Sequence, residues 1–386
     1  MSILSPELLQ RIRDRAPAYD AENRFFWEDL AELRDAGYLR PRSLTDTVRD
    51  HRILAAHAPA TALAMSMHLV WVSIARMLQA RGDSSLEWLL ADAEAGELFA
   101  FGVSEAGNDF VLLDSVTEAS PHADGGYLFT GAKIFTSLSP AWSRLGIFGR
   151  DDSDPENPTL VHGFVSRERP VAGSEWGGDS GDDFGVEGLR ILDDWNTLGM
   201  RATQSRTTVL DGVRVPADRI VRTIPVGEPD LLIFAIFASF ETIISSVYAG
   251  IADRALELGV AAAKSRRSLK NGGAPYASDP DIRWQLAEAA IARDALEPQL
   301  LGVAGDLDAV VDRGEVWFRE LVGLKTRSVA TARQVVDAGI RVSGGSSFRA
   351  SSELARLYRD VLAGDFHPSD PESAHSTVAN HLLGPI

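Results

Sequence analysis

The sequence contains no cysteine, and this lack removes several chemistries at once. Disulfide bonds, thiolate metal sites, iron–sulfur clusters and a cysteine nucleophile are all excluded. The eight histidines do not replace them, because no spacing among these histidines is typical of a metal site. The sequence therefore predicts a protein without a bound metal.

Basic residues are also few. The chain has 38 Lys and Arg against 55 Asp and Glu, which gives a net charge of −17. A nucleic-acid partner is not expected, because a protein that follows a phosphate backbone needs clustered positive charge. An acidic surface is compatible with an electron-transfer or reductase partner. The 45% hydrophobic and 24% charged content is typical of a folded globular protein.

Several common sequence signals are missing as well. The chain has no GxxxxGK[ST], HExxH, GxSxG or GxGxxG motif, so the commonest nucleotide-binding, zinc-peptidase and hydrolase classes are not indicated. The first 15 residues carry charges where a signal peptide would need an apolar segment, which predicts a cytoplasmic protein. The uncharged run from Ile53 to Ala75 contains Pro59 and His68, and we expect a buried helix there and no membrane contact.

The pattern of the chain predicts an α+β fold that is mostly α. Residues 1–95 repeat apolar positions three and four apart, which indicates an N-terminal helical domain. Residues 96–227 contain short aromatic and β-branched runs and predict a central β-barrel-like domain, in which the Gly-rich acidic stretch 172–188 is an exposed loop. Residues 228–386 have long helical patterns that predict a C-terminal four-helix bundle. Its apolar excess predicts a homo-oligomer, either a dimer or a tetramer.

Three segments of the β region carry a family resemblance. Phe101-Gly102-Val103-Ser104-Glu105 is similar to an aromatic-x-x-Thr-Glu-Pro segment, with Asn108 in the place of a following serine. The stretch 131–137, Gly-Ala-Lys-Ile-Phe-Thr-Ser, is similar to Gly-x-Lys-x-Trp-Ile-Thr. The stretch 195–205 and the later Val-Arg-Val-Pro are similar to Leu-Gly-x-Arg-x-Ser-x-Thr and Val-x-Val-Pro. In this order, the segments resemble the acyl-CoA dehydrogenase superfamily of flavoproteins.

The resemblance implies FAD as the cofactor and assigns residues to it. In the β domain, Phe135 takes the aromatic place beside the isoalloxazine and Ser137 takes the hydroxyl place near flavin N5. The other cofactor residues implied there are Phe101, Val103, Ser104, Asn108 and Thr136. In the helical region, the resemblance implies a pyrophosphate site across a subunit interface, since a guanidinium fork and close backbone approach suit a diphosphate. Its residues are Arg266, Leu269, Arg341, Gly344 and Gly345.

The glutamate that serves as catalytic base in many members of the family is missing from its usual position in this sequence. Many members have a glutamate eight residues beyond the Asp of a Tyr-Arg-Asp motif, and here that position is Pro368, which cannot be a base. His367 is its neighbour, and it is either a proton-transfer group or a loop histidine without a role.

Other members place the base on the first helix of the bundle, at a position that falls on Phe240, next to Glu241. Glu241 is a lone acid in a long uncharged run, so burial would raise its pKa. Many relatives carry an arginine at this position, so the opposite charge of Glu241 would suit a different substrate. Glu241 is therefore a base, a structural acid near a helix N-terminus or a substrate-orienting residue.

Three functions follow from the resemblance. The first is α,β-dehydrogenation of an acyl thioester, in which Glu241 or His367 takes the α-proton while hydride passes to flavin N5. The alternative is a reduced-flavin-dependent monooxygenase of a two-component system, acting on an aromatic, amine or sulfur centre, with hydrogen bonds from Ser137, His367 and the candidate substrate-binding residues Ser205 and His68. Pro280, Arg341 and Leu269 replace the family's interface residues and weaken its FAD contacts, which leaves this alternative open. A second alternative is a non-catalytic flavin-binding or acyl-thioester-binding protein.

Overall fold

Five helices form the N-terminal part of the protein in the computed structural model, which describes residues 2–110, 112–169 and 185–384. Most of the acidic stretch 172–188 lies outside these residues. Ser5 and Ser43 cap the first and third helices by accepting backbone N–H bonds, as the sequence pattern favours at helix starts. The helices are α1 (Pro6–Glu22), α2 (Trp27–Asp35), α3 (Leu44–Ala55), α4 (Pro59–Ala80) and α5 (Glu87–Glu94).

The central part is a β domain, as expected. Among the described residues its strands form one eight-stranded sheet in the order β6-β7-β3-β2-β4-β5-β8, and β1 pairs with β4 in parallel. The long pairs β3–β7 and β4–β5 are antiparallel. The strands are β1 (Phe99–Gly102), β2 (Glu118–Pro121), β3 (Tyr127–Thr136), β4 (Arg144–Asp151), β5 (Thr159–Ser166), β6 (Leu189–Ile191), β7 (Arg206–Val215) and β8 (Ile220–Pro225).

The C-terminal part is helical, which confirms the expected order of helices, sheet and helices. Asp230, Asp279 and Asp370 cap three of its helices by accepting backbone N–H bonds. The long central pair, α6 and α9, packs side by side. The helices are α6 (Leu231–Ser265), α7 (Pro280–Asp294), α8 (Leu296–Asp308), α9 (Val316–Ser343), α10 (Glu353–Val361) and α11 (Pro371–Leu383), and the hairpin β9 (Arg267–Ser268) and β10 (Ala274–Pro275) follows α6.

Within residues 2–110, 112–169 and 185–384, two helices are long and apolar enough to cross a membrane, and both are mostly buried inside the protein. The most apolar stretch of α4 is 94% buried and that of α6 is 78% buried. The sequence predicts one buried helix for the uncharged run that begins at Ile53. The run instead covers the end of α3 and most of α4, because the helical pattern breaks at 56–58 before Pro59. Proline is favoured in the first turn of a helix and so starts α4.

The stretch 195–205 is where the three parts of the protein meet. Gly199 lies against α10 so closely that a Cβ atom there would be 2.3 Å from the Arg359 carbonyl oxygen. The Met200 N–H donates to Asp360 Oδ1 at 2.6 Å, and Arg201 Nε donates to a carbonyl near the end of α1 at 2.7 Å. This stretch therefore fixes the start of β7 against both helical regions.

Candidate active site

A cavity of about 1230 Å³ lies between the sheet, α6, the stretch 195–205 and the loop that follows α10. It exceeds the roughly 300–1,000 Å³ of a site for one drug-sized molecule, so it has room for a flavin ring and a small substrate together. Many residues singled out by the sequence line it. They are Phe101, Val103, Ser104, Phe135, Ser137, Ser205, Glu241 and His367.

On the sheet side, the cavity wall carries a chain of hydroxyl groups. Ser137 Oγ lies 2.7 Å from Ser205 Oγ, which lies 2.7 Å from Thr203 Oγ1, and all three residues are buried. Phe135 stands beside them with a φ of 55°, in the left-handed region that costs a side-chain-bearing residue about 1–3 kcal/mol. The residue is 56% exposed and lines the cavity. The strained backbone at Phe135 thus presents an aromatic face next to a hydroxyl pair.

On the helix side, Glu241 is the buried acid that the sequence indicated. Its Oε1 accepts hydrogen bonds from the Ser369 backbone N–H at 2.8 Å and from Ser369 Oγ at 2.9 Å, while its buried Oε2 has no partner among the described residues. Burial raises the pKa of Glu241 to about 7, against the opposing effects of Ser369 and Lys325. Glu241 lies well inside α6, where Asp230 is the cap, so the expectation of an acid near the helix N-terminus is wrong.

His367 reaches the same cavity from the loop between α10 and α11. Its Nε2 is buried and has no hydrogen-bond partner in the described part of the chain. Burial lowers its pKa to about 3, and the charge of Lys325 acts in the same direction. The imidazole is therefore neutral at physiological pH. It is a weak base, in contrast to the proton transfer expected near neutral pH, but it can donate or accept a hydrogen bond.

Lys325 on α9 holds this loop in place, and sequence reasoning missed it. The side chain is 2% exposed, and its Nζ donates to the carbonyls of Gly364 at 2.8 Å, His367 at 2.9 Å and Ser369 at 2.6 Å. Burial lowers the pKa of Lys325. A signal was present, since this lysine comes four residues after Leu321 and three after Val322, in the apolar register of an amphipathic helix.

His68 does not line the cavity, and the substrate contact expected for it is wrong. The residue is fully buried, its Nε2 bonds the Leu39 carbonyl at 2.8 Å, and its Nδ1 accepts from the Phe99 N–H at 3.2 Å. Because both ring nitrogens serve the backbone, His68 joins α4 to β1.

Asn108 and Thr136 also lie outside the cavity wall. Asn108 Nδ2 donates to Glu105 at 2.8 Å and to the Asp114 carbonyl at 2.8 Å, which stabilises the loop after β1. Thr136 is buried at the end of β3, directly before Ser137. Both residues support cavity-lining neighbours and do not reach the cavity themselves.

The residues assigned to the pyrophosphate lie at another place in this single chain. The Arg266 guanidinium donates to the Ser343 carbonyl and covers Gly344, where φ is 64° and a Cβ atom would be 2.8 Å from Arg266 Nη1. A guanidinium beside such a glycine suits a phosphate group. Their neighbours in the assignment are Leu269, Arg341 and Gly345, and none of the five lines the cavity. The site shared between subunits stays a prediction.

Comparison with known proteins agrees with this architecture. The family model "Acyl-CoA dehydrogenase, C-terminal domain" matches residues 242–369, which include most of α6, all of α9 and the His367 loop. A solved structure of KijD3, in complex with FMN and dTDP-3-amino-2,3,6-trideoxy-4-keto-3-methyl-D-glucose, superposes with a TM-score of 0.82 at 25% identity, over 98% of this chain and 91% of KijD3. The chain is thus similar to acyl-CoA dehydrogenases in its C-terminal region and to KijD3 in its overall fold.

Two curated relatives of the chain are enzymes. L-evernosamine nitrososynthase from a Micromonospora strain is 28% identical over 273 residues, covering 70% of this chain and 60% of the relative. Dibenzothiophene monooxygenase from Mycolicibacterium goodii is 29% identical over 307 residues, covering 73% of this chain and 67% of the relative. The match thus spans less than two thirds of the nitrososynthase.

Proposed function

We propose that this protein is a reduced-flavin-dependent monooxygenase of a two-component system. The observation that carries the proposal is the cavity wall: it holds a neutral imidazole and a chain of hydroxyls, while Pro368 occupies the position of the family's usual base. Such a wall offers hydrogen bonds from an imidazole and from hydroxyl groups. The similarity to a nitrososynthase and to a dibenzothiophene monooxygenase supports the same choice.

The cavity fits a flavin ring. The orphaned Glu241 Oε2 and His367 Nε2 are buried polar atoms that need a partner, and a flavin with its substrate would supply one. Phe135 and Ser137 would hold the ring from the sheet side. When bound, reduced FMN or FAD would supply two electrons to molecular oxygen, so that one oxygen atom enters the substrate and the other leaves as water.

The chain's own residues have three tasks in this account. The Ser137, Ser205 and Thr203 hydroxyls orient whatever polar edge faces the sheet, because their chain of hydrogen bonds fixes their direction. His367 offers a hydrogen bond from a neutral ring throughout the neutral pH range. The many apolar side chains of the wall exclude water, which strengthens these hydrogen bonds.

Acyl-thioester dehydrogenation, the first expectation from the sequence, is the second candidate function. It is favoured by one observation, the pKa of about 7 for Glu241, since a carboxylate that titrates near neutral pH suits a general base. Its Oε1, however, is already occupied by Ser369.

A coupled assay tests the proposal. The purified protein is supplied with a flavin reductase, NADH, FMN or FAD, oxygen and an aromatic sulfur or amine compound, and we expect an oxygenated product only when both reductase and oxygen are present. His367→Ala should lower kcat about 100-fold, by analogy with the loss of one positioned hydrogen-bond donor. His381→Ala, on α11 outside the cavity wall, serves as the matched control.

Two other results would replace the proposal. Anaerobic bleaching of bound flavin by a short-chain acyl-CoA, abolished in Glu241→Ala, would establish the second candidate. Flavin binding with neither reaction would indicate the non-catalytic protein that the sequence also left open.

A further inference from the structure

A cluster of phenylalanine rings forms one side of the cavity. Phe234, Phe237 and Phe240 follow each other at intervals of three on α6, so they share one face of the helix. The Phe318 ring of α9 lies 6.1 Å from the Phe234 ring and 5.3 Å from the Phe237 ring. Phe240 stacks with Phe101 of β1 at 6.0 Å. All five line the same cavity as Glu241.

In the described part of the chain, the cavity wall has no cation free to bind a phosphate. Among its described residues, Arg359 is the only arginine or lysine. Its guanidinium is already engaged, because Nη1 donates to Asp20 Oδ1 and to the Leu198 carbonyl, both at 3.0 Å, and Nη2 donates to the other Asp20 oxygen at 2.5 Å. The Arg359 guanidinium therefore joins α10 to α1.

The acidic residues of the wall further disfavour the binding of an anion. Asp365 pairs with Arg333 at 2.5 Å, Asp230 caps α6, and Glu241 is bound to Ser369. Asp365 and Asp230 offer an anion no hydrogen-bond donor, and Glu241 is only partly ionised at neutral pH, so none of the three supplies the positive charge that a phosphate needs. A diphosphate placed there would lose its water without gaining a cation, which is strongly unfavourable.

We propose that the substrate is an uncharged aromatic heterocycle, with its sulfur or nitrogen presented to the His367 and Ser137 side, and that neither a nucleotide sugar nor a CoA thioester enters this cavity. This inference rests on the proposed function, since it names the substrate class of that same site. Aromatic rings gain from edge-to-face and offset contacts with the five phenylalanines, and no charged group of such a substrate needs a partner. The flavin phosphate would lie outside this wall.

Calorimetric titration of the FMN-saturated protein tests the inference. The probes are indole, dTDP and CoA, and we expect indole to bind with a Kd at least about tenfold lower than either of the others. Phe237→Ala should raise the indole Kd about tenfold, because one aromatic contact is lost, and Phe237→Leu should recover part of that loss by keeping the apolar volume. Tyr358→Ala, an exposed aromatic residue outside the wall, is the matched control.

The outcomes separate this inference from the proposed function. Indole binding without oxygen-dependent product would refute the monooxygenase but support the substrate class. Oxygenation of an amino-sugar nucleotide, with no binding of indole, would support the monooxygenase and overturn the substrate class. Binding of dTDP or CoA as tight as that of indole would also overturn it.

Discussion

Glu241 shows how burial can dominate the chemistry of one residue. The side chain lies on an apolar helix. Its Oε1 accepts hydrogen bonds from Ser369, and its Oε2 has no hydrogen-bond partner among the described residues. Its pKa is therefore raised from 4.5 to about 7. In the unfolded chain the carboxyl ionises at the ordinary value, so folding favours the protonated form between these two pH values.

The sign of this linkage gives a prediction for Glu241→Gln. A raised pKa in the folded state stabilises the protein fully below pH 4.5, and this contribution is lost as the pH rises through 7. Glutamine keeps the acceptor for Ser369 and cannot ionise. The variant should therefore become more stable relative to the parent as the pH rises, by about 2–3 kcal/mol at pH 8, measured as thermal midpoints from pH 4.5 to 8.

Glu288→Gln, at an exposed site on α7, is the control for this series. A difference between parent and Glu241→Gln that stays constant over the whole pH range would contradict the assigned pKa.

The sequence predicted those site residues whose signal lies within a short stretch of the chain. Ser137 and Phe135 follow from a contiguous motif, and Glu241 stands out as the one charge in an apolar run. His68 was misread because a lone histidine looks the same in sequence whether it faces a ligand or, as here, two backbone groups. Lys325 was missed because its three acceptors come from a loop distant in sequence.

At the scale of elements, the loop 362–370 is what brings His367 and Ser369 to the cavity. Loops of this kind are generally mobile because they bury few apolar contacts. Here three carbonyls of the loop share one buried ammonium group. The rigid α9 thus positions a loop that carries two site residues.

Removing that ammonium group should release the loop. In Lys325→Met three buried carbonyls lose their donor, and we expect a loss of stability on the order of 3 kcal/mol, with faster hydrogen exchange confined to 362–370. The pKa of Glu241 should rise further, because Lys325 lowers it in the parent. Lys264→Met, at an exposed position near the end of α6, should show neither effect. Unchanged exchange in the loop would refute this role for Lys325.

At the scale of the whole molecule, the sequence predicted the order of helices, sheet and helices because each part has its own hydrophobic period. Strand order and the meeting of all three parts at Gly199 could not be predicted, since they depend on contacts between residues far apart in the chain. The cavity lies at this meeting place, so its polar residues come from several separate segments.

The outer surface of the C-terminal part gives a prediction about assembly. Leu269 is 95% exposed, Phe348 is 93% exposed and Trp284 is 70% exposed, close to the Arg266 and Gly344 cluster in sequence. We propose that a second copy covers these side chains, as the family resemblance implies, because exposed large apolar groups mark interaction surfaces. Sedimentation should show a dimer or tetramer that Phe348→Glu dissociates or weakens at least tenfold. A monomeric parent protein at micromolar concentration would contradict the proposal.

The measurement that most directly tests the central claim is the affinity for reduced against oxidised flavin, determined without oxygen by titrating FMN and FAD. A two-component monooxygenase receives its flavin in the reduced form, so we predict that reduced flavin binds at least about tenfold more tightly than oxidised flavin and that the purified protein is largely colourless. Stoichiometric, tightly held oxidised FAD that a short-chain acyl-CoA bleaches would contradict the account and establish a dehydrogenase.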